Sequence, residues 1–186
     1  MPKTLLIILI GPVSVGKTTL GQKISKELTI PMISKDSIKE LFFDTTGWHN
    51  DQYAHKVGDI AYPLLYYFAD LFLQIPSSLI LDGNFTPKYA NSKIAELKKK
   101  YDFLPIQINC FADGQILTNR FHQRTNSNFR HPGHCEDCIF EDIKESLCRG
   151  CMEILEIDGE VLNLDMTDFE QIDYQKLFQQ LRRFSQ

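Results

Sequence analysis

Eight consecutive residues carry the strongest chemical signal in the chain. Gly11-Pro12-Val13-Ser14-Val15-Gly16-Lys17-Thr18 fits the pattern G-x-x-x-x-G-K-[ST] at every fixed position. Glycine lets the backbone wind so that several N–H groups point at one anion. A helix opening at that point adds the positive end of its dipole. Residues 11–19, Thr19 included, are therefore expected to cradle a nucleoside triphosphate, taken to be ATP with Mg²⁺. Lys17 would reach the β- and γ-phosphates, and the Thr18 hydroxyl would ligate the metal.

Two acids stand where they would meet that cradle. Asp36 follows the short apolar run ending Ile33-Ser34-Lys35, and Asp82 ends Leu79-Ile80-Leu81. If both runs are parallel strands, their carboxyl ends open onto one ligand crevice. One carboxylate would accept the proton of an attacking hydroxyl; the other would hold Mg²⁺. Asp36 also suits a helix N-cap, and Asp82-Gly83 suits a turn. Arg120 and Arg124 share one helical face. Arg130 follows in the polar stretch 124–134. Arginines on a closing lid would stabilise the charge that spreads over a transferring phosphoryl group. The lid is expected over residues 120–151.

Other phosphate-loop chemistries fit less well. A guanine-binding N-K-x-D segment is missing, and Asp44-Thr45-Thr46-Gly47 reads as a helix C-terminal turn. A mechanical ATPase carries adjacent acids after its second-motif strand, whereas here Asp82 is followed by Gly83 and Asn84. The remaining class is a small kinase acting on a hydroxyl of a small molecule or of a nucleic-acid end. Its rival is a nucleotide-dependent regulatory module with weak ATPase activity.

Five short β-rich runs place these residues: 4–10, 31–34, 78–81, 104–111 and 161–165. Several are unbroken Ile/Leu/Val segments, which predict a parallel sheet covered on both faces. The stretches between them predict crossover helices. One runs from Gly16 to Leu28 and a second starts after Asp36. A third spans 53–74, kinked or interrupted at Pro63, with Tyr62, Tyr66, Ala69 and Leu73 as a core stripe. Thr86-Pro87 opens a fourth to about Lys100. Asp113 caps a fifth to about Gln123, and others cover 136–149 and begin near Tyr174. The polar segment before 136 reads as exposed, His134 included. His49, His55 and Trp48 would either line the acceptor side or pack.

The chain has 186 residues, a formal charge of −4, 43% hydrophobic and 24% charged residues. That suits one domain over 1–186 and disfavours a general nucleic-acid coat or an anionic-membrane binder. No run approaches the roughly 20 apolar residues of a membrane span. The expected location is cytoplasmic, with reduced thiols.

The motifs GPVSVGKTT, ISKDSIKELF, LILDGNFTP and RFHQRTNSNFRHPGH together resemble the small P-loop kinases related to polynucleotide kinase, zeta toxin and chloramphenicol phosphotransferase, an AAA-type ATP-binding domain. The resemblance covers nearly the whole chain. It implies a three-layer α/β/α fold with a five-stranded parallel sheet ordered 2-3-1-4-5 and a lid. It implies Asp36 as general base, Asp82 and Asn84 near Mg²⁺ and substrate, and Arg120, Arg124 and Arg130 on the phosphates. An arginine that often follows the family's base is Lys39 here.

Four of the five cysteines form a separate pattern. Cys135-x₂-Cys138 and Cys148-x₂-Cys151 make paired knuckles that would hold Zn²⁺ if they converge, stapling the lid. Cys110 ends an apolar strand and is expected in the core.

Overall fold

A computed structural model describes residues 3–48, 51–127 and 130–186, and the side chains of all of these except 51 and 136–138. Five strands, β1 (Leu5–Ile10), β2 (Met32–Ser34), β3 (Leu79–Asp82), β4 (Leu104–Phe111) and β5 (Glu160–Asp165), form one sheet in the order β2-β3-β1-β4-β5. Every pairing is parallel. Ile7 sits opposite both Ile80 and Ile106, Ile33 opposite Leu81, and Ile108 opposite Leu162.

The unbroken apolar sequence of β1 serves two cores at once. All six of its residues are buried. Leu5, Ile7 and Leu9 face a cluster with Leu20, Ile24, Phe121, Leu177 and Leu181. Leu6, Ile8 and Ile10 face another with Leu65, Ala69, Ile94, Leu97 and Phe103. Side chains alternate across a strand, so a central strand covered on both sides must be apolar throughout. The layers belong to α1 (Lys17–Leu28), α5 (Gly114–Thr125) and α7 (Tyr174–Phe184) on one side. On the other lie α3 (Asp51–Leu73) and α4 (Pro87–Lys100). Two further helices, α2 (Lys35–Thr46) and α6 (Glu136–Arg149), complete the three-layer α/β/α architecture.

Most helix signals act where the sequence places them. Asp113 Oδ1 accepts from the N–H groups of Gln115 and Ile116 and caps α5. Gly47 N–H donates to Phe43 O at 2.9 Å and closes α2, so Asp44–Gly47 is a helix C-terminus. Two expectations need correction. Asp36 does not cap α2: Ser34 holds the N-cap position, and Asp36 lies inside the first turn with its carboxylate turned to other partners. Pro63 does not divide α3, which is assigned as one helix. The missing Pro63 N–H would have bonded the Asp59 carbonyl. Both residues are exposed, so water can satisfy that carbonyl.

Candidate active site

The carboxyl ends of β1, β2 and β3 open onto a cavity of about 780 Å³. Its wall includes Lys17, Thr18, Asp36, Asp82, Arg124 and Arg130. Backbone geometry shapes one end. Gly11 has φ 147° and Gly16 φ 102°, both in the region that favours glycine. A side chain on Gly11 would put its Cβ 2.4 Å from the Cys110 carbonyl oxygen, so the strand can enter the loop only through glycine. Ser14 also has positive φ, at 64°, and its Oγ is buried without a hydrogen-bond partner. Such an orphan donor in a strained turn fits a site for an anionic oxygen.

Lys17 is buried, and its Nζ donates to the carbonyls of Gly11 and Pro12 at 2.6 and 2.7 Å. Burial pushes its pKa below the ordinary lysine value, against the attraction of Asp82. Asp82 is 3% exposed. Its Oδ2 accepts from Thr18 Oγ1 at 2.8 Å and from Ser34 Oγ at 3.0 Å. Burial raises the Asp82 pKa, while Thr18 and Lys17 oppose the rise. A buried carboxylate among hydroxyls is a hard oxygen donor set, and it fits Mg²⁺. Ser34 was not picked out from sequence; its only signal is its place at the end of β2.

Side chains from distant segments shape the other end. Arg130 Nη2 donates to Asp36 Oδ2 at 2.7 Å, and Arg130 Nη1 lies 3.6 Å from Glu40 Oε1. Burial opposes ionisation of Asp36, but the Arg130 guanidinium outweighs it and holds the carboxyl well below its usual range. The segment beside it, expected from sequence to be part of a lid, packs more tightly than its polar sequence predicts. A short 3₁₀ turn, Pro132–His134, lies against Phe43, with His131 stacked on that ring at 5.3 Å and His134 edge-on at 5.6 Å. A Cβ on Gly133 would come within 2.6 Å of the Phe43 ring. His134, expected to be exposed, is buried; burial first, then Arg130, pushes its pKa down to about 3. The ring is neutral at ordinary pH and lies 2.9 Å from Glu40 Oε1.

The other expected residues scatter around this frame. Arg124 lines the cavity and is among the charges that act on Lys17. Arg120 also lines it, but its guanidinium donates to the carbonyls of Met166 and Thr167 at 2.8 and 2.9 Å and lies 3.9 Å over the Phe169 ring. Phe169 borders Gly16 and forms a wall that no sequence pattern marks. Asn84, Lys39 and His55 line the cavity. Trp48 packs edge-on against His131 at 4.9 Å. His49 lies outside the described residues. Ala69 and Leu73 are core, as expected of the α3 stripe; half-buried Tyr62 and Tyr66 pack against the same cluster, and Tyr62 also lines the cavity.

The zinc expectation is not supported. Cys135 and Cys148 sit at opposite ends of α6, so their backbones are roughly 20 Å apart at 1.5 Å per residue. One tetrahedral ion cannot span that length. Cys135 packs beside Phe43, Cys148 is exposed, and among the described residues no three His, Cys, Asp or Glu side chains are grouped to hold a metal. The Cys138 side chain lies outside the described residues. Cys110 is core, its thiol pushed up to about 12 by burial. Among the described residues no helix is long and apolar enough to cross a membrane.

Sheet order and phosphate loop together define a nucleotide-binding protein of the P-loop kinase type. A sequence profile described as AAA domain matches residues 6–149, and the chain belongs to that family. The crystal structure of a "putative kinase" from Chloroflexus aurantiacus is similar to it with TM-score 0.92 at 37% identity, covering 99% of this chain and 100% of that one. A sugar kinase from Janibacter shares the fold with TM-score 0.57 at 12% identity, covering 98% and 94%. A gluconokinase from Sinorhizobium meliloti does so with TM-score 0.53 at 15% identity, covering 100% and 98%. No curated protein matches the chain.

Proposed function

We propose that this chain is a phosphotransferase that moves the γ-phosphoryl group of Mg-ATP to the hydroxyl of a small molecule or of a nucleic-acid end. Family, fold and the Chloroflexus likeness support a phosphotransferase in general terms. One observation carries the finer reading: an ionised carboxylate, Asp36, lines the same cavity as Lys17, Thr18 and Asp82. The acceptor oxygen attacks the γ-phosphorus, the bond to the β–γ bridging oxygen breaks, and ADP departs with that electron pair. Asp36 takes the hydroxyl proton. Backbone N–H groups of the loop 11–19, all but Pro12, bind the phosphates, and Lys17 offsets the charge that grows on the bridging oxygen. Thr18 and Asp82 would hold Mg²⁺, which neutralises phosphate charge when bound. Arg124 and Arg130, in a lid over 120–151, are assigned to the γ-phosphoryl oxygens. Arg120 is assigned to ordering the Phe169 wall on the nucleotide side.

Asp36→Asn tests the assignment. Transfer of labelled phosphate to a pool of sugars, nucleosides and 5′-OH oligonucleotides should fall about 10²–10⁴-fold with nucleotide affinity kept. Near wild-type transfer would remove Asp36 from the role of base. Release of free phosphate alone by the wild-type chain would favour the regulatory module with weak ATPase activity.

A further inference from the structure

The cations around the cavity are not placed alike. Lys17 and Arg120 are held by backbone carbonyls, and Arg130 by Asp36 and Glu40. Lys35 is different. Its Nζ lies 4.3 Å over the Tyr62 ring, and among the described residues it has neither a hydrogen bond nor a carboxylate within ion-pair distance. Asp36 and Asp59 offset part of its burial from beyond ion-pair distance, while its place at the opening of α2, where the helix dipole disfavours a cation, adds to the cost. Burial lowers its pKa, so the charged ammonium is held at a cost. A ring contact offsets only part of such a cost.

Lys35 also lies on a definite side of the site. The groups acting most strongly on it are Asp36, Lys39, Asp59 and Arg130, whereas those acting on Lys17 are Asp82, Cys110, Asp36 and Arg124. Only Asp36 is common to both. Tyr62, under the ammonium, donates to the Asn84 carbonyl and so ties α3 to the loop after β3. Lys35 therefore lines the cavity on its α3 side, over the Tyr62 ring and beside Gly83.

We propose that the acceptor carries an anionic group, a carboxylate or a phosphate monoester, and that Lys35 binds it beside the hydroxyl offered to Asp36. This rests on the phosphotransferase reading and narrows its substrate class. The group would give Lys35 the direct ionic partner that no carboxylate of the described residues provides within ion-pair distance, and would fix the acceptor's orientation.

The test uses the full chain labelled with ¹³Cε-lysine and saturated with magnesium and a non-hydrolysable ATP analogue. The Lys35 signal is identified by its loss in Lys35→Met. D-glycerate, glycerol 3-phosphate and glycerol are then titrated separately. At least one anion should move the Lys35 signal and raise its pKa, and glycerol should do neither; the anion that acts identifies the group. With any anionic acceptor found by transfer assay, Lys35→Met should raise KM about tenfold and leave kcat nearly unchanged, with partial recovery in Lys35→Arg. A Lys35 signal unmoved by both anions, or moved equally by glycerol, overturns the proposal. Failure of the ATP analogue to bind, or ATP turnover only to free phosphate, is read separately and counts against the phosphotransferase reading.

Discussion

The two ends of the cavity are built by opposite means. At the phosphate loop, eight neighbouring residues act through backbone conformation, and Gly11 and Gly16 are needed for their φ values. At the end proposed to take the acceptor, Asp36 meets Arg130 and Glu40 meets His134, pairs 94 residues apart in the chain. The first end is local and works through main-chain atoms. The second exists only after folding and works through side-chain charge. Damage to the first should therefore remove nucleotide handling as a whole, and damage to the second should alter proton bookkeeping and acceptor choice.

The broadest effect expected from breaking this contrast is at Lys17, where binding and transfer should fall together. Lys17→Met should lower transfer about 10²–10³-fold and weaken nucleotide binding as well, whereas Asp36→Asn should spare binding. Isothermal titration with an ATP analogue beside single-turnover transfer separates the two patterns. If Lys17→Met binds nucleotide normally, the two ends do not divide as described.

Arg130→Met should act through Asp36. Without the guanidinium, burial dominates and the carboxyl pKa rises. A base must be deprotonated to work, so the acid limb of the kcat/KM profile should move to higher pH. An unmoved limb would separate Arg130 from the base.

His134 gives a smaller, folding-level signature. Its folded pKa of about 3 lies below the unfolded value near 6.5. The unfolded chain thus binds more protons between those limits. His134 should therefore make stability rise with pH across that window, by at most about 1.4 kcal/mol per unit, with its full benefit above the unfolded pKa. Denaturant titrations at pH 6.5 and 5.0 should show a steeper loss in wild type than in His134→Asn. The smallest effect belongs to the cysteines: Cys148→Ser, or a zinc-selective chelator, should change stability by less than about 0.5 kcal/mol.

Legibility in the sequence follows the same division. The five strands, their parallel arrangement and most helix ends were readable, because apolar runs, Asp113 and Thr86-Pro87 act on their immediate neighbours. The sheet order came from resemblance to a family. The phosphate loop was readable as a unit. Asp36 could be placed at the crevice from its strand end, with a helix cap as the rival role; its ion pair with Arg130 was invisible, since nothing local fixes a contact across 94 residues. His134 looked polar and exposed because the ring that buries it, Phe43, belongs to α2. The cysteine spacing misled because convergence needed a short or bent helix between the pairs, whereas the helix expected over 136–149 runs its full length and holds them apart. Lys35 went unremarked beside the aspartate next to it.

The alternation of β1 between two cores has a bearing on how this chain tolerates insertions and deletions. Removing one residue from 5–10 would swap which side chains enter each layer and retract Gly11 by about 3.3 Å from the ends of its neighbours. Core identity and the reach of the glycine turn are thus metered by a single count. Length changes should be excluded from this strand even where conservative replacements are allowed.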